Sequence, residues 1–135
     1  MRIFLDANIL FSAAKSDGAI RSLIMSLLRK KYDLRVNLFV KEEAERNLSS
    51  KAPEALDYFY DLMLKFPTVP LANYPLLPAV ASYLPTKDQP VLQAALHDCC
   101  DILLTGDRTH FGRLYGLKIG DTVVHSPSSL ADLIL

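Results

Sequence analysis

Two aspartates stand just after apolar runs that read as buried strands. Asp6 follows "RIFL" and Asp107 follows "ILLTG". Glu43 lies in the first turn or so of a helix, "KEEAERNLSS", that follows a second strand, "LRVNLFV". Asp88 opens another helix, "DQPVLQAALHDCC". Each acid has a bland explanation. Asp6, Asp88 and Asp107 can each cap a helix, which contributes about 1 kcal/mol, and Glu43 can complement a helix dipole. Asp6 fits that explanation least well, because an acid after a buried strand risks an uncompensated charge. Four carboxylates brought together repel one another. A divalent cation removes the conflict, and an all-carboxylate site without Cys or His suits hard, oxygen-preferring Mg²⁺ or Mn²⁺.

Such a site needs a scaffold that gathers strand ends. "DGAIRSLIMSLLRKKY" reads as a helix with Asp17 as its cap and an apolar stripe of Ile20, Leu23, Ile24, Leu27 and Leu28. Pro53 opens "PEALDYFYDLMLKF", a helix that tolerates proline in its first turn. The proline-punctuated stretch from Pro67 to Pro85 reads as a short strand, a turn and a short helix. "LKIG" and "TVVHS" offer one or two further strands, and Ser126-Pro127 starts a closing helix. Strands alternating with helices imply an α/β domain with a mainly parallel sheet. Ligands of such sheets bind outside the carboxyl ends of the strands. Asp6 and Asp107 are already at those ends. Asp88 opens the helix that feeds "ILLT" from the far end, so only the tertiary fold can bring it there.

Composition limits the alternatives. The 135 residues suit one domain, residues 1–135, with room for a sizeable core. Fifteen basic residues balance fifteen acidic ones, which argues against a surface coated with basic residues for nucleic acid but leaves room for a local patch. No apolar run approaches the roughly 18 residues of a membrane span. The N-terminus reads as a strand rather than a signal peptide. Cys99 and Cys100 are adjacent and imply helix-end packing rather than a disulfide, zinc or redox site; a reducing, cytoplasmic setting is the simplest expectation.

Four segments in order, "FLDANIL", "VKEEAERNL", "KDQPVLQAAL" and "DILLTGDRTHFG", resemble the PIN domain family across nearly the whole chain. These are small three-layer α/β/α nucleases that cut mainly RNA with divalent metal. Many prokaryotic members are VapC-type toxins of toxin–antitoxin pairs. The resemblance implies Mg²⁺ or Mn²⁺ on Asp6, Glu43, Asp88 and Asp107. Glu43 is placed by its distance from Leu48, with Glu42 and Glu45 as neighbours. Asn8 and Thr105 match polar residues that support such sites, and Asp101 matches an acid common at the start of that strand, which the resemblance implies to be a further supporting or capping residue. RNA is the implied substrate, a small antitoxin the implied partner, and a homodimer the implied assembly. Gly106 stands where many toxins of the family carry asparagine, and "TGDRTHFG" looks more like the branch in which histidine and phenylalanine follow.

A polyanionic substrate requires basic side chains near the acids. Lys15, Arg46, Lys87, Arg108 and Arg113 are the candidates, with Arg108 foremost beside Asp107. For any one of them a solvated surface charge is the ordinary alternative. His110, a loop histidine before an aromatic, reads as a packing or hydrogen-bonding residue rather than a general acid. Tyr58, Phe59 and Tyr60 can stack bases, but their helical spacing points to core and partner surface. Two other readings compete with a ribonuclease: a PIN-fold binding module without catalysis, and a dehalogenase-like phosphatase. The latter chemistry wants a second acid two residues after the first, where this chain has Asn8.

Overall fold

A computed structural model describes residues 1–69, 80 and 83–134. Most of the proline-punctuated stretch expected to hold a turn and a short helix lies outside the described residues. Six strands form one sheet in the order β3-β2-β1-β4-β6-β5. They are β1 (Arg2–Leu5), β2 (Asp33–Asn37), β3 (Thr68–Val69), β4 (Ile102–Leu104), β5 (Lys118–Ile119) and β6 (Thr122–His125). All pairings are parallel except that of β5 with β6. The helices with described bounds are α1 (Ala7–Lys15), α2 (Ala19–Arg29), α3 (Leu38–Lys51), α4 (Leu56–Met63), α5 (Gln89–His97), α6 (Arg108–Phe111) and α7 (Pro127–Ile134). None is long and apolar enough to cross a membrane.

Successive side chains on a strand point to opposite faces. Ile3, Phe4 and Leu5 of β1 are all buried, as are Ile102, Leu103 and Leu104 of β4. Both faces of the central strands are therefore covered, which is the condition for a parallel sheet between helical layers. The register sets Leu5 beside Leu104, and the ladder runs one step further through the Asp6 N–H, which donates to the Leu104 carbonyl at 3.0 Å. Strand order runs outward from β1 through β2 to β3 on one side and through β4 on the other. The reversal falls between β1 and β4, the place where open α/β sheets bind ligands.

Some element boundaries differ from the sequence expectation. "LFV" was expected in a strand, but the strand stops at Asn37 and helix α3 begins at Leu38. The cause is a cap: the Asn37 Oδ1 accepts the Val40 N–H at 2.9 Å, and Asn37 is buried. This moves Glu43 from the first turn to the second. Gly18, not Asp17, occupies the cap position of α2, with no side-chain bond. Proline does open the next helical segment, as one 3₁₀ turn (Pro53–Ala55) that leads into α4. Cys100 is buried and Cys99 exposed, both as free thiols.

At the amino edge of the sheet, acids find arginines. Asp33 accepts from Arg2 Nε and Arg35 Nε, each at 3.0 Å, and Arg35 also reaches Asp98 at 3.4 Å. Hydrogen bonding to Arg35, outweighing the opposing effect of burial, holds the Asp33 carboxyl below its usual range.

Because the Asn37 cap sets where α3 begins, Asn37→Ala should lower stability by about 1–2 kcal/mol in urea titration, and Asn37→Ser by less. Equal losses for both would show that the cap is not what anchors α3.

Candidate metal centre

Asp6, Glu43, Asp88 and Asp107 all line one cleft of about 370 Å³. Each arrives from a different element. Asp6 ends β1 and caps α1, its Oδ1 accepting the Ala7 N–H at 2.7 Å. Asp107 follows β4 and caps α6 through the His110 N–H at 3.2 Å. Asp88 ends the 3₁₀ turn Thr86–Asp88 before α5 and makes no side-chain cap bond. Glu43 lines the cleft from α3, whereas its neighbours Glu42 and Glu45 do not. Phe39, Glu43, Asn47 and Lys51 follow one another at intervals of four and present one face of α3 to the cleft.

The best-ordered part of the site is the junction of β1 and β4. Parallel register places Asp6 beside Thr105, and the buried Thr105 hydroxyl donates to Asp6 Oδ2 at 2.8 Å. Asn8 Nδ2 donates to the same oxygen at 3.1 Å. The Asn8 Oδ1 in turn accepts the Gly106 N–H at 2.7 Å. A Cβ on Gly106 would stand 3.2 Å from that oxygen, so glycine permits the close approach. Thr105 Oγ1 also accepts the Asp107 N–H at 3.2 Å. One threonine thus ties the first acid to the fourth.

Asp6 is 5% exposed. Burial pushes its carboxyl up to about 6, helped by the charge of Glu43 and opposed by the bonds from Thr105, Ala7 and Asn8. Asp107 behaves oppositely. Burial works against its charge, but the bonds from the His110 ring and backbone outweigh it and hold the carboxyl below its usual range. Among the described residues, no Lys or Arg nitrogen lies within 4.0 Å of any of the four carboxylates, in contrast to the amino edge.

Three donor atoms converge within 4.8 Å of one another, from Asp88, Asp107 and His110. Asp88 Oδ2 has almost no solvent contact and no hydrogen-bond partner among the described residues. A desolvated carboxylate oxygen without a donor is the kind of group a cation satisfies. The residues present therefore fit a divalent ion. The expectation of a purely carboxylate site needs correcting, because the imidazole of His110 stands among the acids.

Other expected residues fall elsewhere. Asp101 sits at the far, amino end of β4, where its Oδ2 accepts the Arg2 N–H at 2.7 Å. Four residues of extended chain, about 13 Å, separate it from Thr105, so it supports the sheet edge and not the cleft. Arg108 and Arg46 are exposed and outside the cleft lining. Lys15 is exposed and stands 5.6 Å from the centre of the Phe11 ring. Lys87 does line the cleft. Arg113 donates to the Tyr83 carbonyl. Sequence reasoning missed Phe11, Phe39, Asn47 and Lys51, although the interval of four from Phe39 through Glu43 was there to be read.

No protein-family model matches the chain, and no curated protein matches it. A solved structure does. It is that of VapBC2 from Rickettsia felis bound to a DNA fragment from their promoter. The TM-score is 0.65, over 93% of this chain and 98% of that chain, at 14% identity. The fold is PIN-like. The six-stranded, mostly parallel sheet with helical layers on both faces is the α/β/α arrangement expected of that fold.

Asp6 yields a stability prediction with a definite sign. Its folded carboxyl binds a proton more tightly than the unfolded one, so ionisation opposes folding. The penalty is absent below about pH 4 and complete above about pH 6. The metal-free wild type should therefore lose stability relative to Asp6→Asn between pH 4 and pH 7.5, because the amide has no charge to bury, while the lost bonds from Thr105 and Asn8 cost the variant at both pH values. Urea melts at the two pH values check this. A stability difference between the two proteins that is the same at both pH values would contradict it.

Proposed function

We propose that this protein is a metal-dependent ribonuclease of the PIN family, a single nuclease domain acting in the cytoplasm. The observation that carries the reading is the set of four carboxylates in one cleft at the β1/β4 reversal, with no Lys or Arg in ion-pair contact among the described residues and with His110 alone beside Asp88 and Asp107. A structural ion-pair network would look like the amino edge, where arginines neutralise the acids. Here no arginine or lysine neutralises the acids, and the buried charge of Asp6 opposes stability, a situation that suits a cation.

Asp6, Glu43, Asp88 and Asp107 would hold Mg²⁺ or Mn²⁺, which when bound lowers the pKa of a water and offsets charge on a phosphodiester. The chain's own residues do the positioning. Thr105 and Asn8 hold the Asp6 carboxylate in one rotamer. The Gly106 N–H holds Asn8. Lys51 and Lys87 line the cleft and supply positive charge to an incoming phosphate backbone. Arg46, Arg108 and Lys15 lie farther out and would meet flanking phosphates. In the toxin version of the reading, a small antitoxin protein covers the cleft and the chain forms a homodimer; the likeness to a chain of a VapBC2 structure supports looking for that partner.

Purified protein should cleave single-stranded or structured RNA in Mg²⁺ or Mn²⁺ and stop when chelator is added. Asp6→Asn and Asp88→Asn should each lower kcat at least about 100-fold, or about 2.7 kcal/mol. Thr105→Val, which removes the bond to Asp6 and the one that holds the Asp107 N–H, should cost about 10-fold. Cleavage that survives chelator and Asp6→Asn would overturn the reading. RNA capture without turnover would favour a binding module instead.

A further inference from the structure

One imidazole stands among the carboxylates of the cleft. His110 arrives there because Asp107 caps α6. The cap places the ring three residues on, with its Nδ1 2.9 Å from Asp107 Oδ2. The same nitrogen lies 3.5 Å from Asp88 Oδ2. One N–H can serve one of these oxygens, and the hydrogen bond goes to Asp107. Asp88 Oδ2 is then left desolvated and unpartnered among the described residues. A proton on Nδ1 therefore solves only half of the electrostatic problem.

A cation solves all of it. The donor atoms of Asp88, Asp107 and His110 lie within 4.8 Å of one another. Two ligands of one divalent ion stand at most about 4–5 Å apart. With its proton on Nε2, the imidazole aims the Nδ1 lone pair at the region where the two carboxylate oxygens meet.

We infer that His110 Nδ1 is a metal ligand in this cleft, together with Asp88 and Asp107, and that it tilts the site away from Mg²⁺ toward a first-row transition ion. The inference rests on the metal-dependent reading above and deepens it. Mg²⁺ prefers oxygen and keeps its waters, whereas transition ions accept imidazole readily. Mn²⁺ is the weakest binder of that series, so the preference it shows is a lower bound for the others.

The test uses the full chain, stripped of metal and loaded with Mn²⁺. Pulsed electron paramagnetic resonance of the wild type should show coupling of the Mn²⁺ electron spin to one ¹⁴N nucleus, absent in His110→Ala. By calorimetry, His110→Ala should weaken Mn²⁺ binding about 10- to 100-fold and Mg²⁺ binding less than about threefold. Bound Mn²⁺ without ¹⁴N coupling, at an affinity ratio unchanged by His110→Ala, would overturn the role of His110 and leave the nuclease reading standing. Failure of the wild type to bind either ion would overturn both. If the variant fails to fold by circular dichroism, the wild-type spectrum decides alone.

Discussion

The buried carboxylate of Asp6 is the constraint around which the cleft is organised. A charged group at 5% exposure cannot be left to itself. Its position follows from register: parallel pairing of β1 with β4 brings Thr105 level with it, and the threonine hydroxyl meets its Oδ2. The bond from Asn8 requires Asn8 to be held, which the Gly106 N–H does, and that approach requires glycine. The turn that carries Gly106 delivers Asp107. Asp107 therefore follows directly on the turn that serves Asp6, and the Asp6 carboxyl remains raised to about 6 in spite of three hydrogen bonds.

The two edges of the sheet treat acids differently, and the difference separates stability from function. At the amino edge Asp33 and Asp98 meet Arg2 and Arg35, and the exposed Asp101 takes a backbone N–H. At the carboxyl edge the counter-charges stop short. Lys51 and Lys87 line the cleft, but among the described residues neither comes within ion-pair distance of an acid. Lysines at that remove can attract a polyanion while leaving the carboxylate oxygens open. His110 stands between the carboxylates of Asp88 and Asp107, as Thr105 stands between Asp6 and the Asp107 backbone.

Much of this was legible in the sequence, because the strongest signals were local. "RIFLD" and "DILLTGD" show their burial by unbroken apolar runs, and Asp6 and Asp107 sit at the strand ends by spacing alone. Asp6 and Asp107 also fulfil the expected capping roles, since a cap needs only the next two or three residues. Asp88 does not cap, although its place before a helix suggested that it could. The start of α3 was misplaced because Leu38, Phe39 and Val40 suit a strand as well as a helix, and the Asn37 bond decided between them. The resemblance implied a supporting role for Asp101, but the length of the extended strand keeps it at the amino edge, on the Arg2 N–H. The convergence of His110 with Asp88 joins residues 22 positions apart, and no spacing rule encodes it. The four-residue interval from Phe39 to Lys51 was visible, but which face of α3 it marks depends on the packing of that helix beside α1.

The central claim is that the acids of this cleft exist to hold a cation. The most direct measurement is an anomalous difference map from crystals of the protein soaked in Mn²⁺. A peak is expected inside the cleft, within bonding distance of Asp88 and Asp107 and lying against the Asp6 side of the β1/β4 junction. A map with no peak there, from crystals in which the cleft is open to solvent, would contradict it.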